Sequence, residues 1–208
     1  MYGLPYVKRY FDFSKYVNLL NDKFVEVPEN TTQVETGQSL SSFSTNIQPH
    51  LMPELNGLFD VVFNACTLFY DNITKIESQQ YITQSWMNQH YRTGQTKEHI
   101  HGNVEFVISC YVSVPKNSGN FEMFYNNAWH TIPVESNDIL IFPGSLLHRT
   151  EASNSDNPRI VVTMNITKNN GISDLTLSKE EKINRFLSTM NNLSKTHSNI
   201  ETTLLNMC

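Results

Sequence analysis

The sequence predicts a mainly β protein, a sandwich or barrel with flanking helices, and three observations support that expectation. Between Tyr81 and Ile166 the apolar residues fall into short or alternating runs: YITQSWM, EFVISCYVSV, NFEMFY, HTIPV, DILIF and RIVVTMNI. Turn-forming segments separate them (TGQT, KNSGN, NN, ESND, PGS and SNSDNP), roughly one every ten residues, as in packed antiparallel strands. Composition allows one domain of this kind, since 208 residues with 39% apolar and 11% aromatic content can bury a substantial core.

Along the chain, the aromatic-rich opening YVKRYFDFSKYVNLLNDKF is expected to add a short strand and a helix to the core. Residues 28–46, PENTTQVETGQSLSSFSTN, are polar and turn-rich and read as a loop. In PELNGLFDVVFNACTLFYDN the residues Leu55, Leu58, Phe59, Val62, Phe63, Cys66 and Phe69 recur at steps of three and four, which predicts an amphipathic helix. The six strand-like runs follow. Ser178 and Glu181 stand at capping-box spacing ahead of Ile183, Phe186, Leu187 and Met190, predicting a C-terminal helix. The expected organisation is one domain over residues 1–175 with its core at 81–167, followed by a helix and tail over 176–208.

Charge and cysteine usage narrow the function classes. The formal charge of −5, with no basic cluster, gives no electrostatic reason to expect nucleic acid or an anionic membrane as partner. Cys66, Cys110 and Cys208 are odd in number and lack C-x-x-C spacing, as expected of reduced thiols in the cytoplasm. No signal peptide and no apolar run of about 18 residues stands out.

The chemistry concentrates in the histidines. In KEHIHGN, His99 and His101 are two apart, so on a strand both rings project from one face about 6–7 Å apart and can reach one ion. His148 follows DILIFPGSLL, a strand and a Pro-Gly turn, and a sheet folding back would bring it to that pair. Three imidazoles from two segments suit Fe(II), Zn(II), Mn(II) or Ni(II) and leave coordination positions open. The bland alternative is polar surface on an edge strand. Arg159 opens the apolar run RIVVTMNI and must be compensated there. Its partner is either an acid (Glu105, Glu122 or Asp138) or a carboxylate ligand held bidentately. Tyr111 alternates with Cys110, so one of the two points inward. Trp86 and Trp129 read as core or rim aromatics. His50, His90, His130 and His197 read as surface, with His90 a minor candidate for the site.

Three segments together resemble the Fe(II)/2-oxoglutarate-dependent oxygenases, in particular those of marine phages and bacteria related to prolyl hydroxylases. SWMNQHYRTGQTKEHIHGN resembles that family's lead into H-x-H, YVSVPKNSGNFEMFY its strand, proline, glycine and second strand, and DILIFPGSLLHRTEASNSDNPRIVVTMNI its closing segment. The resemblance implies a double-stranded β-helix, the jelly-roll or cupin-like barrel, with helices packed on one sheet. It places His99 and His148 as the two iron histidines, with His101 where most of the superfamily has a carboxylate. It gives Arg159 the distal carboxylate of 2-oxoglutarate, assisted by Asn88, Tyr91 and Tyr111. The implied activity is O2-dependent hydroxylation of an unidentified small molecule or protein side chain, such as a prolyl residue, in the cytoplasm of a cell or of a phage-infected host.

The departures matter too. Three neutral histidines leave the metal one negative charge short of the usual facial triad. Val107-Ile108 replaces the family's Ser-Gly, and Val161 replaces a small hydroxylic residue. Residues 28–46 and the loop EASNSDN are the expected substrate contacts. His99, His101, Glu105 and His148 also approach the cupin pattern, which would use all four as ligands without 2-oxoglutarate. A jelly roll that binds without catalysis is the third reading.

Overall fold

Alternation along the central strands generates two apolar layers. On the strand from Arg159, Ile160, Val162, Met164 and Ile166 belong to one buried cluster, while Val161 belongs to another on the opposite face. The same division splits Ile108 and Cys110 from Val107 and Tyr111, and Ile139 and Ile141 from Leu140 and Phe142. Successive strand side chains point to opposite faces, so one sheet here separates two cores.

The computed structural model describes residues 6–25, 27, 35–60, 62–63, 79–102 and 104–169. The larger sheet contains β1 (Val7–Tyr10), β9 (Asp138–Pro143), β6 (Phe106–Ser113), β11 (Arg159–Asn169), β4 (Gln79–His90) and β3 (Ser39–Ser41), in that spatial order. A smaller sheet is formed by β10 (His148–Thr150), β7 (Phe121–Tyr125) and β8 (Ala128–Ile132). β2 (Glu35–Thr36) pairs β5 (Gln95–Thr96). All of these pairings are antiparallel. Phe121, Met123 and Ile132 of the smaller sheet pack against Val107, Leu140, Phe142 and Val161 of the larger one. This is the double-stranded β-helix arrangement, with sheets that are not closed into a continuous barrel.

The outer core lies between the larger sheet and the N-terminal helical segments. Leu20 and Phe24 of α1 (Val17–Phe24) join Leu55, Leu58, Phe59 and Val62 against Met87, Ile108 and Cys110. The helix expected from Leu55 is present over 56–60 and 62–63, and Cys66 and Phe69 lie outside the described residues. The C-terminal helix expected over 176–208 lies outside them as well. No helix among the described residues is long and apolar enough to cross a membrane.

One expectation needs correction. Residues 28–46 are not all loop, because β3 extends the edge of the larger sheet by pairing Ser39, Leu40 and Ser41 with His90, Gln89 and Asn88. Its serines mask it in the sequence. They are buried and satisfied, the Ser39 hydroxyl donating to Thr36 O (2.6 Å) and that of Ser41 to Asn88 Oδ1 (2.6 Å).

Candidate metal centre and its cavity

His99 and His101 lie not on a strand face but on an irregular segment tied to the turn before β10. His99 N donates to His148 O (3.0 Å), His148 N to His99 O (3.1 Å) and His101 N to Gly144 O (2.8 Å). These bonds bring the three imidazoles together, with ring centroids 4.3 to 5.1 Å apart. One ring nitrogen from each lies within 4.8 Å of the others, forming a three-histidine group able to hold a metal ion.

Hydrogen bonding fixes which nitrogen each ring presents. Nδ1 of His99 donates to Lys97 O (2.8 Å), Nδ1 of His148 to Leu146 O (2.8 Å) and Nδ1 of His101 to Asn165 Oδ1 (2.7 Å). Each partner is an oxygen that only accepts, so all three protons sit on Nδ1 and every Nε2 offers a lone pair. The Nε2 atoms of His101 and His148 are 3.1 Å apart. With both protons on the far nitrogens, that contact sets lone pair against lone pair and calls for a cation beside it. Two donors in adjacent positions around one metal, at bonds of about 2.1 Å, are separated by about 3 Å, which matches.

A proton is a poor substitute. Burial, reinforced by the neighbouring His99, pushes His101 down to about 4 despite the opposing Asn165 bond. His148 is held well below the ordinary histidine range by burial first and by His99 and His101 next. Both rings are therefore neutral near pH 7, the form that ligates metal.

The group opens onto a cavity of about 820 Å³ between the sheets. Its floor follows the strand register: Arg159 lies opposite His90, Val161 opposite Asn88 and Tyr111, and Thr163 opposite Trp86 and Ser109. Asn88, His90, Tyr111, Val161 and Thr163 all line the cavity, as do Thr96 and Thr150 beside them. Trp86 stacks on His101 (5.5 Å between centroids, 24° between planes), and Phe43 meets Trp86 edge-on at 5.0 Å. A bulge between β4 and β11 falls at Asn165, the residue that holds His101. Bulges next to sites re-aim a side chain in this way.

Of the residues singled out in the sequence, His99, His101, His148, Asn88 and Tyr111 reach this cavity. Burial pushes the Tyr111 phenol far above its usual range, so it remains a donor. Arg159 is fully buried behind the lining, donating to Ser118 O (2.7 Å) and approaching His90 Nδ1 (3.2 Å). It pairs with neither Glu122, which engages Arg149, nor Asp138, which engages Lys8. Tyr91 is half-buried and does not line the cavity. Glu105 belongs to neither the histidine group nor the lining, which removes the fourth ligand of the cupin pattern.

Several expectations change. His90 is buried, not surface, and Trp86 stands beside a candidate metal ligand. Val107 and Ile108 are core residues that do not touch the cavity. Of the expected substrate loops, the first contributes Phe43 and Ser44 to the lining, and residues 151–157 contribute nothing. Asn165 carried no motif of its own. Its signal was its place in the alternation 159, 161, 163, 165, the inward-facing set of β11.

No protein-family model matches the chain, and no curated protein sequence matches it. Solved structures do match its fold. A 2OG-Fe(II) oxygenase family oxidoreductase from Burkholderia pseudomallei is similar with a TM-score of 0.61 at 12% identity, over 82% of this chain and 89% of that one. A Trichoplax adhaerens prolyl hydroxylase, bound to a hypoxia inducible factor peptide fragment, matches at TM-score 0.61 and 11% identity over 84% and 88%. The 2OG complex of a viral collagen prolyl hydroxylase from Paramecium Bursaria Chlorella virus-1 matches at 0.58 and 12% over 79% and 96%. At such identities the likeness is one of fold: the chain folds as 2-oxoglutarate oxygenases do.

Proposed function

We propose that the protein is an Fe(II)- and 2-oxoglutarate-dependent dioxygenase that hydroxylates a small molecule or a protein side chain, prolyl residues included. The observation that carries this reading is a group of three histidines, each with its Nδ1 proton engaged and a ring nitrogen within 4.8 Å of the others, beside a polar-floored cavity. His99, His101 and His148 would hold the iron, whose chemistry when bound is O2 activation coupled to conversion of 2-oxoglutarate into succinate and CO2. The chain itself positions the components and shields them from water.

Thr150 lies two residues beyond His148 on β10, about 6–7 Å further along the strand, which suits the length of a five-carbon dicarboxylate. Around it the lining presents donors for a carboxylate. Asn88 accepts from Ser41 through Oδ1 and so turns its NH2 outward, and the Tyr111 phenol is protonated. Arg159 supplies a cation behind this end and touches the lining through His90. Tyr91 would assist from the strand end. The likeness of motifs to phage and bacterial oxygenases, and a reducing cytoplasmic setting, belong to the same reading.

The test is anaerobic titration of the Fe(II)-loaded protein with 2-oxoglutarate, following the weak visible charge-transfer band of the chelate. The expected result is a saturable band that is absent in His99→Ala, while Arg159→Ala binds metal but needs far more 2-oxoglutarate. Bound metal with no band and no affinity for 2-oxoglutarate would overturn the proposal.

A further inference from the structure

Resting on the oxygenase reading, the lining of the same cavity bears on its substrate. Twenty of the described residues line it, and none of them is Asp, Glu, Lys or Arg. The omission is local, because Lys97 and Glu98 adjoin His99 in sequence yet stay outside the lining. At the mouth stand the exposed Phe43, Ser44, Thr83 and Ile100, with Phe43 42% and Ile100 46% exposed. An unbroken aromatic wall runs inward from there, from Phe43 edge-on to Trp86 and from Trp86 stacked on His101. This wall joins the exposed Phe43 to the histidine group.

Charge adds a second argument. Among the described lining residues there is no carboxylate, so a cationic group seated beside the metal would be taken out of water without a partner from the chain. An anionic group meets the opposite problem, since it is drawn onto the metal as a ligand, where it competes with the co-substrate.

We infer that the prime substrate presents an uncharged group with an apolar or planar face, which seats against Phe43 and Trp86 beside the metal. An aliphatic ring or an aromatic ring meets this description, and polar contacts are available from Gln84 and Thr83 at the rim.

Three probes of one shape separate the cases: benzyl alcohol, benzylammonium and benzoate. Trp129→Phe leaves Trp86 as the sole indole of the chain and so as the reporter. The full chain is loaded with Zn(II), which is redox-inert, and with 2-oxoglutarate, and each probe is titrated against Trp86 emission. The alcohol is expected to give a saturable change at a concentration about tenfold or more below the ammonium. Benzoate is expected to be displaced by 2-oxoglutarate, and the alcohol is not. Phe43→Ala, at an exposed position, is expected to weaken the alcohol several-fold.

Binding of benzylammonium as tight as the alcohol to the Zn(II)-loaded protein, indifference to Phe43→Ala, or no response to any probe would each overturn the inference. Failure of 2-oxoglutarate to bind is recorded separately and bears on the proposed function instead. A blocked alanyl-phenylalanyl-alaninamide distinguishes the source of the group. Tighter binding than the alcohol assigns it to a polypeptide, and weaker binding to a free molecule.

Discussion

Asn165→Ala tests the preorganisation of the histidine group most directly. Nδ1 of His99 and His148 is held by backbone carbonyls, Lys97 O and Leu146 O, which no substitution removes. His101 alone depends on a side chain, the buried Asn165 carboxamide at 2.7 Å. Truncation leaves a buried imidazole N–H without its acceptor, a loss of about 1–3 kcal/mol. It also frees His101 to carry its proton on Nε2, the nitrogen that must ligate. Outer partners of metal-binding histidines are typically worth about 10–100-fold in affinity, or about 1.4–2.7 kcal/mol. The expected result is a rise of that size in the dissociation constant for Ni(II) or Co(II), measured by competition against a chelating dye. Asn165→Asp keeps an acceptor of the same shape and is expected to retain affinity. Thermal unfolding of the metal-free variants checks that each is folded. A folded Asn165→Ala protein that binds metal as tightly as the parent would refute the reasoning.

Three further outcomes follow from the same geometry. Thr150→Val removes a hydroxyl at nearly constant volume and is expected to weaken 2-oxoglutarate by about 1 kcal/mol, roughly five-fold, with metal affinity unchanged; calorimetric titration of each ligand separates the two. Gly144→Ala drives a Cβ into Val104 O, so the turn whose carbonyl anchors His101 must move, and metal affinity is expected to fall on the order of tenfold in the same dye assay. In the metal-free protein His101 has a folded pKa of about 4, depressed from 6.5 mainly by burial. The unfolded chain then binds more protons between those values, so stability is expected to fall as pH drops from about 6.5 to about 4 and to level off below. Chemical denaturation midpoints across that range, compared with His101→Gln, measure it; parallel curves for the two proteins would count against the depressed pKa.

Sequence pattern alone determined most of the strands and which three histidines could come together. The runs of β6, β9 and β11 were visible because a strand with two buried faces needs apolar residues in many positions, and those of β4, β7 and β8 because turn residues bound short strand-like runs. The pairing of H-x-H with His148 was visible because a strand, a tight turn and a return bring a chain back on itself. β3 was hidden because its buried positions are serines, one satisfied within its own turn and the other by Asn88 far along the chain.

What only the tertiary structure decided is which face of each strand looks inward, and with what partner. The alternation of β11 separates two sets of residues, yet only packing assigns 160, 162, 164 and 166 to the helices and 161, 163 and 165 to the cavity. That assignment puts Asn165 on His101, Trp86 against the same ring and His90 against Arg159. Each is a contact between side chains at least 15 residues apart, made by strand register rather than by neighbouring chemistry. The tautomers of His99 and His148 are set locally, by carbonyls two residues back, but that of His101 follows from where Asn165 comes to rest, which no local spacing encodes.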